Sequence, residues 1–135
     1  MVTIKTKVMK SNIFLLAILA LFLIPYSCNK EEPMPVSAAF TTNIVNSTLT
    51  TRQGFTVYTS ETEGEFLTFF RGSKADNSYG TGNGTAMEVG TDSLVISSYG
   101  SVGTYTFTLV STSYGNWGTT VAQDVQSVDI TVVAE

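Results

Sequence analysis

The sequence predicts an all-β domain, a two-sheet antiparallel β-sandwich of about seven strands, and three observations carry that reading. After Pro35 no stretch shows capped apolar spacing of three and four residues, the mark of an amphipathic helix. Threonine, serine, glycine and β-branched or aromatic residues dominate the same region. Short segments of alternating polar and apolar residues recur between turn residues, as they do in sandwiches.

The strands follow in order. Residues 36–42 form the first. Residues 54–60 (GFTVYTS) place Phe55 and Val57 on one face and Thr56, Tyr58 and Ser60 on the other. Residues 65–71 (EFLTFFR) are apolar on both faces, which predicts a central strand covered on both sides. Residues 85–89 read as a weak edge strand and 93–99 as the strand after it. Residues 103–112 (GTYTFTLVST) alternate most clearly, with Tyr105, Phe107 and Leu109 on one face. Residues 123–133 close the chain, with Val128, Ile130 and Val132 facing inward. Turn residues at 52–54, 99–103 and 114–118 separate these elements. A domain of this size buries more than half of its unfolded surface, enough for a core without disulfide staples.

Residues 1–27 read as an export signal. Lys5, Lys7 and Lys10 precede the apolar run Ile13–Ile24, and Ser27 then precedes Cys28. As a helix that run spans about 18 Å, too short for a hydrocarbon layer of roughly 30 Å but within the usual range of a signal-peptide core. Three divisions are expected: a signal over 1–27, a tether over 28–35 and the sandwich over 36–135.

Composition excludes much chemistry. Histidine is absent and cysteine occurs once. No Cys/His zinc site, no Ser-His or Cys-His dyad and no internal disulfide can form. Net charge is −4, and loss of residues 1–27 removes three lysines and no acid. The more acidic mature chain is a poor partner for nucleic acid or other anionic polymers. Glu61, Glu63 and Glu65 read as a solvated edge rather than a hydrolytic carboxylate pair, which needs two groups set across a cleft. Among the lysines after Cys28, Lys74 alone falls within the domain for a Ser-Lys dyad. Gly80, Gly82 and Gly84 lack the Lys-Ser/Thr ending of a phosphate loop. Asp76, Glu88 and Asp92 lack calcium-loop spacing. The chain is therefore read as a non-enzyme with no metal and no cofactor.

Two N-terminal stretches resemble known signals. Ile24-Pro25-Tyr26-Ser27-Cys28 resembles a bacterial lipobox, although Pro25 stands where that pattern usually has an aliphatic residue. The resemblance implies diacylation of Cys28, which would cap a lone thiol and anchor the chain in a membrane. Cys28-Asn29-Lys30-Glu31-Glu32 resembles the lipoprotein export tag of glycan-foraging Gram-negative bacteria, with Lys30, Glu31 and Glu32 as the tag. It implies an outer-membrane lipoprotein facing the cell exterior. The other reading of these charges is a solvated tether.

A third resemblance covers the domain. The stretch from Tyr99 through Gly103, Tyr105, Phe107 and Leu109 to Gly115 resembles the penultimate strand of polycystic-kidney-disease (PKD) repeats. Ala38-Ala39-Phe40-Thr41 is similar to their first strand, and Ser127–Val132 to their last. The Trp-Asp-Phe-Gly-Asp-Gly signature is absent; Phe66–Gly72 stands in its place. The resemblance implies an immunoglobulin-like sandwich acting in binding, adhesion or spacing. Within it Tyr105 is expected to form a tyrosine corner, its hydroxyl bonded to upstream backbone. Asp92-Ser93-Leu94 resembles a short O-glycosylation motif of the same bacteria, with Ser93 as acceptor.

The remaining candidate for binding is the loop holding Tyr114, Asn116 and Trp117. It contains the only tryptophan, flanked by glycines, between the last two strands. A flat aromatic ring beside an amide suits a sugar; the alternative is a ring folded back as a lid on the core. Two functions are thus expected. One is a non-catalytic surface lipoprotein that captures glycan or matrix. The other is a passive spacer or accessory subunit contacting an outer-membrane protein.

Overall fold

The structure is a computed structural model and describes residues 31–135. Eight strands form two sheets. The smaller sheet has the order β1 (Thr41–Thr42), β3 (Phe55–Tyr58), β6 (Ser93–Ile96). The larger has the order β2 (Thr48–Thr50), β8 (Thr120–Val133), β7 (Gly103–Gly115), β4 (Phe66–Phe70), β5 (Thr85–Met87). The all-β, two-sheet architecture is the one the sequence predicts, and it is compatible with an immunoglobulin-like sandwich.

The core lies between the sheets, where the inward residues of each alternating strand meet. Phe55 and Val57 of β3 and Ile96 of β6 face Phe107, Leu109, Ile130 and Val132 of the larger sheet. Ala38, Phe40 and Leu49 complete it. Phe107 sits at the centre. Its ring meets Phe40 edge-on at 5.5 Å and Phe55 at 5.8 Å, and stacks on Phe69 at 6.0 Å.

Four details differ from the sequence reading. An eighth strand, β2, pairs parallel to β8, so the sandwich is not wholly antiparallel. The segment expected as a strand over 36–42 is regular only at Thr41–Thr42. Before that it makes one bridge, Ser37 with Glu63, and is held by side chains of β8 instead. The Ala38 N–H donates to the Asp124 carboxylate at 2.8 Å, and the Gln126 amide donates to the Phe40 carbonyl at 3.2 Å. The β7–β8 hairpin is longer than expected, running to Gly115 and restarting at Thr120. Finally, β4 is an inner strand of its sheet, but only Leu67 and Phe69 turn toward the core. Phe66 lies exposed on the outer face against Tyr114, with ring centroids 5.6 Å apart, while Phe70 packs on Tyr79.

The end of the sandwich near Gly103 is closed by aromatic stacking. Tyr99 stacks on Tyr105 at 4.2 Å and on Phe55 at 6.2 Å, and the Arg71 guanidinium lies over the Tyr99 ring at 5.3 Å. Arg71 also donates to the carbonyls of Ser97 and Ser98. The Tyr99 hydroxyl donates to the Arg71 carbonyl at 2.9 Å. Burial pushes this phenol up to about 12, against a lowering by Arg71 and with a further rise from Tyr105. It therefore stays protonated, and a donor, throughout the neutral range.

The Tyr105 hydroxyl donates to the Ser101 carbonyl, four residues upstream, at 2.9 Å. Tyr105→Phe keeps the ring stack and loses this bond, so a destabilisation of about 0.5–1 kcal/mol is expected, read as a melting point lower by a few degrees. A melting point equal to wild type would show that the hydroxyl bond adds nothing to the stack.

Candidate functional site

The outer face of the larger sheet carries a groove that the sequence reading did not single out. Outward residues of β7, Thr104, Thr106 and Thr108, form its floor with Ser127 of β8. Gly72, Ser78 and Tyr79 from the loop after β4 form one wall. The groove is open to solvent and has a volume of about 350 Å³. Its floor exposes the hydroxyls of Thr104, Thr106 and Ser127; the buried Thr108 bonds Ser127 at 2.8 Å from beneath, and Thr106 donates to the Asp129 carboxylate at 2.7 Å. The half-exposed Tyr79 ring borders them, braced edge-on by Phe70 at 5.3 Å.

Local bonding explains why the wall holds its shape. The Gly72 N–H donates to the Asn77 carbonyl at 3.0 Å, and the Asn77 side chain bonds both the Lys74 N–H and the Ser73 hydroxyl. The Ser78 carbonyl accepts the Gly82 N–H at 2.8 Å, and the Asp76 carbonyl accepts the Asn83 N–H at 2.8 Å. The glycine-rich stretch 80–84 is therefore part of a cross-bonded loop. Two features hid the groove in the sequence. Thr104, Thr106 and Thr108 read only as the solvent face of a strand, and Tyr79 lies in a loop separated from that strand by β5 and β6.

The residues at the expected binding loop have three different settings. Tyr114 lies on the outer sheet face against Phe66. The Asn116 amide donates to the Thr119 hydroxyl at 2.8 Å, so one of its two N–H groups is used inside the turn. Trp117 stands at the apex of the β7–β8 hairpin and is 98% exposed, which overturns the reading of a lid on the core. Its backbone is left-handed, with φ 57° and ψ 36°.

The other candidates are placed as follows. Glu65 accepts the Tyr114 N–H at 2.8 Å, while Glu61 and Glu63 are exposed. Ser93 is exposed at the start of β6, opposite Tyr58, and Leu94 packs against the core. Among the described residues no group of three or more acidic or cysteine side chains is arranged to hold a metal ion, Asp76, Glu88 and Asp92 included. Also among them, no helix is long and apolar enough to cross a membrane. The expected signal, Cys28 and Lys30 lie outside the described residues. Glu31 and Glu32 are exposed at the start of the described chain.

Comparison with protein-family models, with curated proteins and with solved structures finds no match. The class the geometry defines is a two-sheet, all-β module with an open polar groove.

Proposed function

We propose that the chain is a non-catalytic, lipid-anchored surface lipoprotein with a PKD-like module that captures a neutral glycan. The anchor is Cys28, the compartment is the outer membrane, and the export tag of Lys30, Glu31 and Glu32 directs the module outward. The observation that carries the ligand class is the groove: the exposed hydroxyls of Thr104, Thr106 and Ser127 beside one braced tyrosine ring. Hydroxyls both donate and accept, as sugar hydroxyls do, and an aromatic face suits the C–H surface of a pyranose. Asp129 beside the floor adds an acceptor, and the lining holds no cation that would favour a uronic acid.

The test is binding of the full chain, in mild detergent, to an array of neutral glycans. Tyr79→Ala is expected to lower affinity roughly tenfold, the equivalent of losing about one stacking contact. Trp117→Ala is expected to leave it unchanged. The opposite pattern would move the site to the hairpin tip, and no binding to any glycan would favour the spacer or accessory reading. Palmitate labelling that vanishes in Cys28→Ala is the expected result for the anchor.

A further inference from the structure

We propose that the tip of the β7–β8 hairpin docks on the bilayer, with Trp117 seated in the interface between headgroups and acyl chains. The proposal rests on the reading of Cys28 as acylated and adds to it an orientation and a second point of membrane contact.

Chain length is the first argument. The described chain begins at Glu31, and its opening residues run beside the end of β7. A Cβ placed on Gly115 would meet the Glu31 carbonyl and lie 2.6 Å from the Pro33 nitrogen. Met34 is tied there as well, its N–H donating to the Ser113 hydroxyl at 2.9 Å. Cys28 precedes Glu31 by three residues, a reach of at most about 10 Å even when fully extended. The strand β7 has 13 residues and carries the body about 40 Å away from the tip. An acyl chain on Cys28 therefore brings the hairpin tip to the membrane and holds the opposite end far from it.

The tip itself is the second argument. A tryptophan that is 98% exposed leaves a large apolar ring in water. It does so at φ 57°, a conformation that side chains of its size rarely adopt and that glycine would adopt without cost. Neither burial nor backbone preference accounts for tryptophan at this position. An interface does: indole combines an apolar body with one N–H donor and is enriched where hydrocarbon meets headgroups. Exposed Met34, Tyr114 and Val121 surround the same end. The basic residues of the described chain, Arg52, Arg71 and Lys74, belong to turns and loops away from the tip, and Lys30, two residues after Cys28 in the sequence, is outnumbered by the acids around it. With Glu31, Glu32 and Glu65 near the tip, a zwitterionic surface is the fitting partner. This orientation also lifts the groove clear of the membrane, since Thr106 lies nine residues up the strand from Gly115, roughly 30 Å.

The lone tryptophan makes the test direct, because all indole emission comes from position 117. The full chain, acylated by its host, is reconstituted into phosphatidylcholine vesicles, with or without lipids brominated near the headgroup end of the acyl chains. Brominated lipid is expected to quench most of the emission, and aqueous acrylamide little of it. Free quenching by acrylamide with none by brominated lipid, in a sample whose Cys28 is acylated by mass spectrometry, overturns the docking and leaves the anchor standing. An unmodified Cys28 overturns both. In Trp117→Gly, which suits the turn and sacrifices no buried surface, the hairpin amides of residues 114–121 are expected to lose their vesicle-dependent protection from hydrogen exchange. Protection equal to wild type would also overturn the proposal.

Discussion

Replacing Phe107 with alanine is expected to remove a large share of the stability of the domain. The side chain is fully buried and is the one ring that touches Phe40, Phe55 and Phe69 together. Those three come from the N-terminal segment, the smaller sheet and the larger sheet, so the deletion opens a cavity where all three parts of the chain converge. Truncations of this kind cost about 3–5 kcal/mol, against a total stability of roughly 5–15 kcal/mol for a domain of ordinary size. Phe107→Leu refills much of the space and is expected to cost less than half as much. Urea unfolding followed by far-ultraviolet circular dichroism is the appropriate measurement, because Trp117 is exposed in the folded chain and its emission changes little on unfolding. A loss below about 1 kcal/mol for Phe107→Ala would mean that the sheets are held together elsewhere, since full burial with such a small cost requires near-complete collapse of the site.

The readability of the sequence follows the strength of the alternation. Phe55 and Val57, and Phe107 and Leu109, sit in strict period-two segments, and their inward placement follows directly. Strand β2 carries a single core residue, Leu49, between two threonines, which is too short a pattern to distinguish from a turn. Its parallel pairing with β8 is a tertiary choice that no local signal encodes. The same limit applies to residues 36–40, whose backbone is met by Glu63 and Thr62 and by the Asp124 and Gln126 side chains of the last strand, all distant in the sequence. Phe66 and Phe70 show the converse: an apolar run suggests two covered faces, yet these rings are met by Tyr114 and Tyr79 on an otherwise open face. For the candidate site, the unusual residue was visible but not its surroundings. Trp117 stood out by composition, whereas the groove is assembled from common threonines and serines that only the sheet register brings together.

Gly72→Ala is expected to disturb both the fold and the groove, because two separate costs meet at that position. The first is conformational: Gly72 has φ +67°, and adding a Cβ there costs about 1–2 kcal/mol. The second is steric. The new Cβ would collide with the Thr106 carbonyl, with Thr106 C at 3.0 Å and N at 3.1 Å. Thr106 belongs to β7, the middle strand of its sheet, and is paired with Asp129 of β8, so it cannot yield. The loop must move instead, which breaks the bond from the Gly72 N–H to the Asn77 carbonyl and shifts Tyr79 away from the threonine row. A total loss of about 2–4 kcal/mol follows from strain and clash together. Gly80→Ala separates the two terms: Gly80 has φ +86° with nothing within 4 Å of the added atom, so it bears strain alone. Thermal melts should therefore rank Gly72→Ala well below Gly80→Ala. Glycan affinity, measured at a temperature where both variants are folded, should fall only in the first. Equal melting points would show that the loop rides freely over β7, and a groove with so loose a wall could not hold a tyrosine ring in place for a sugar.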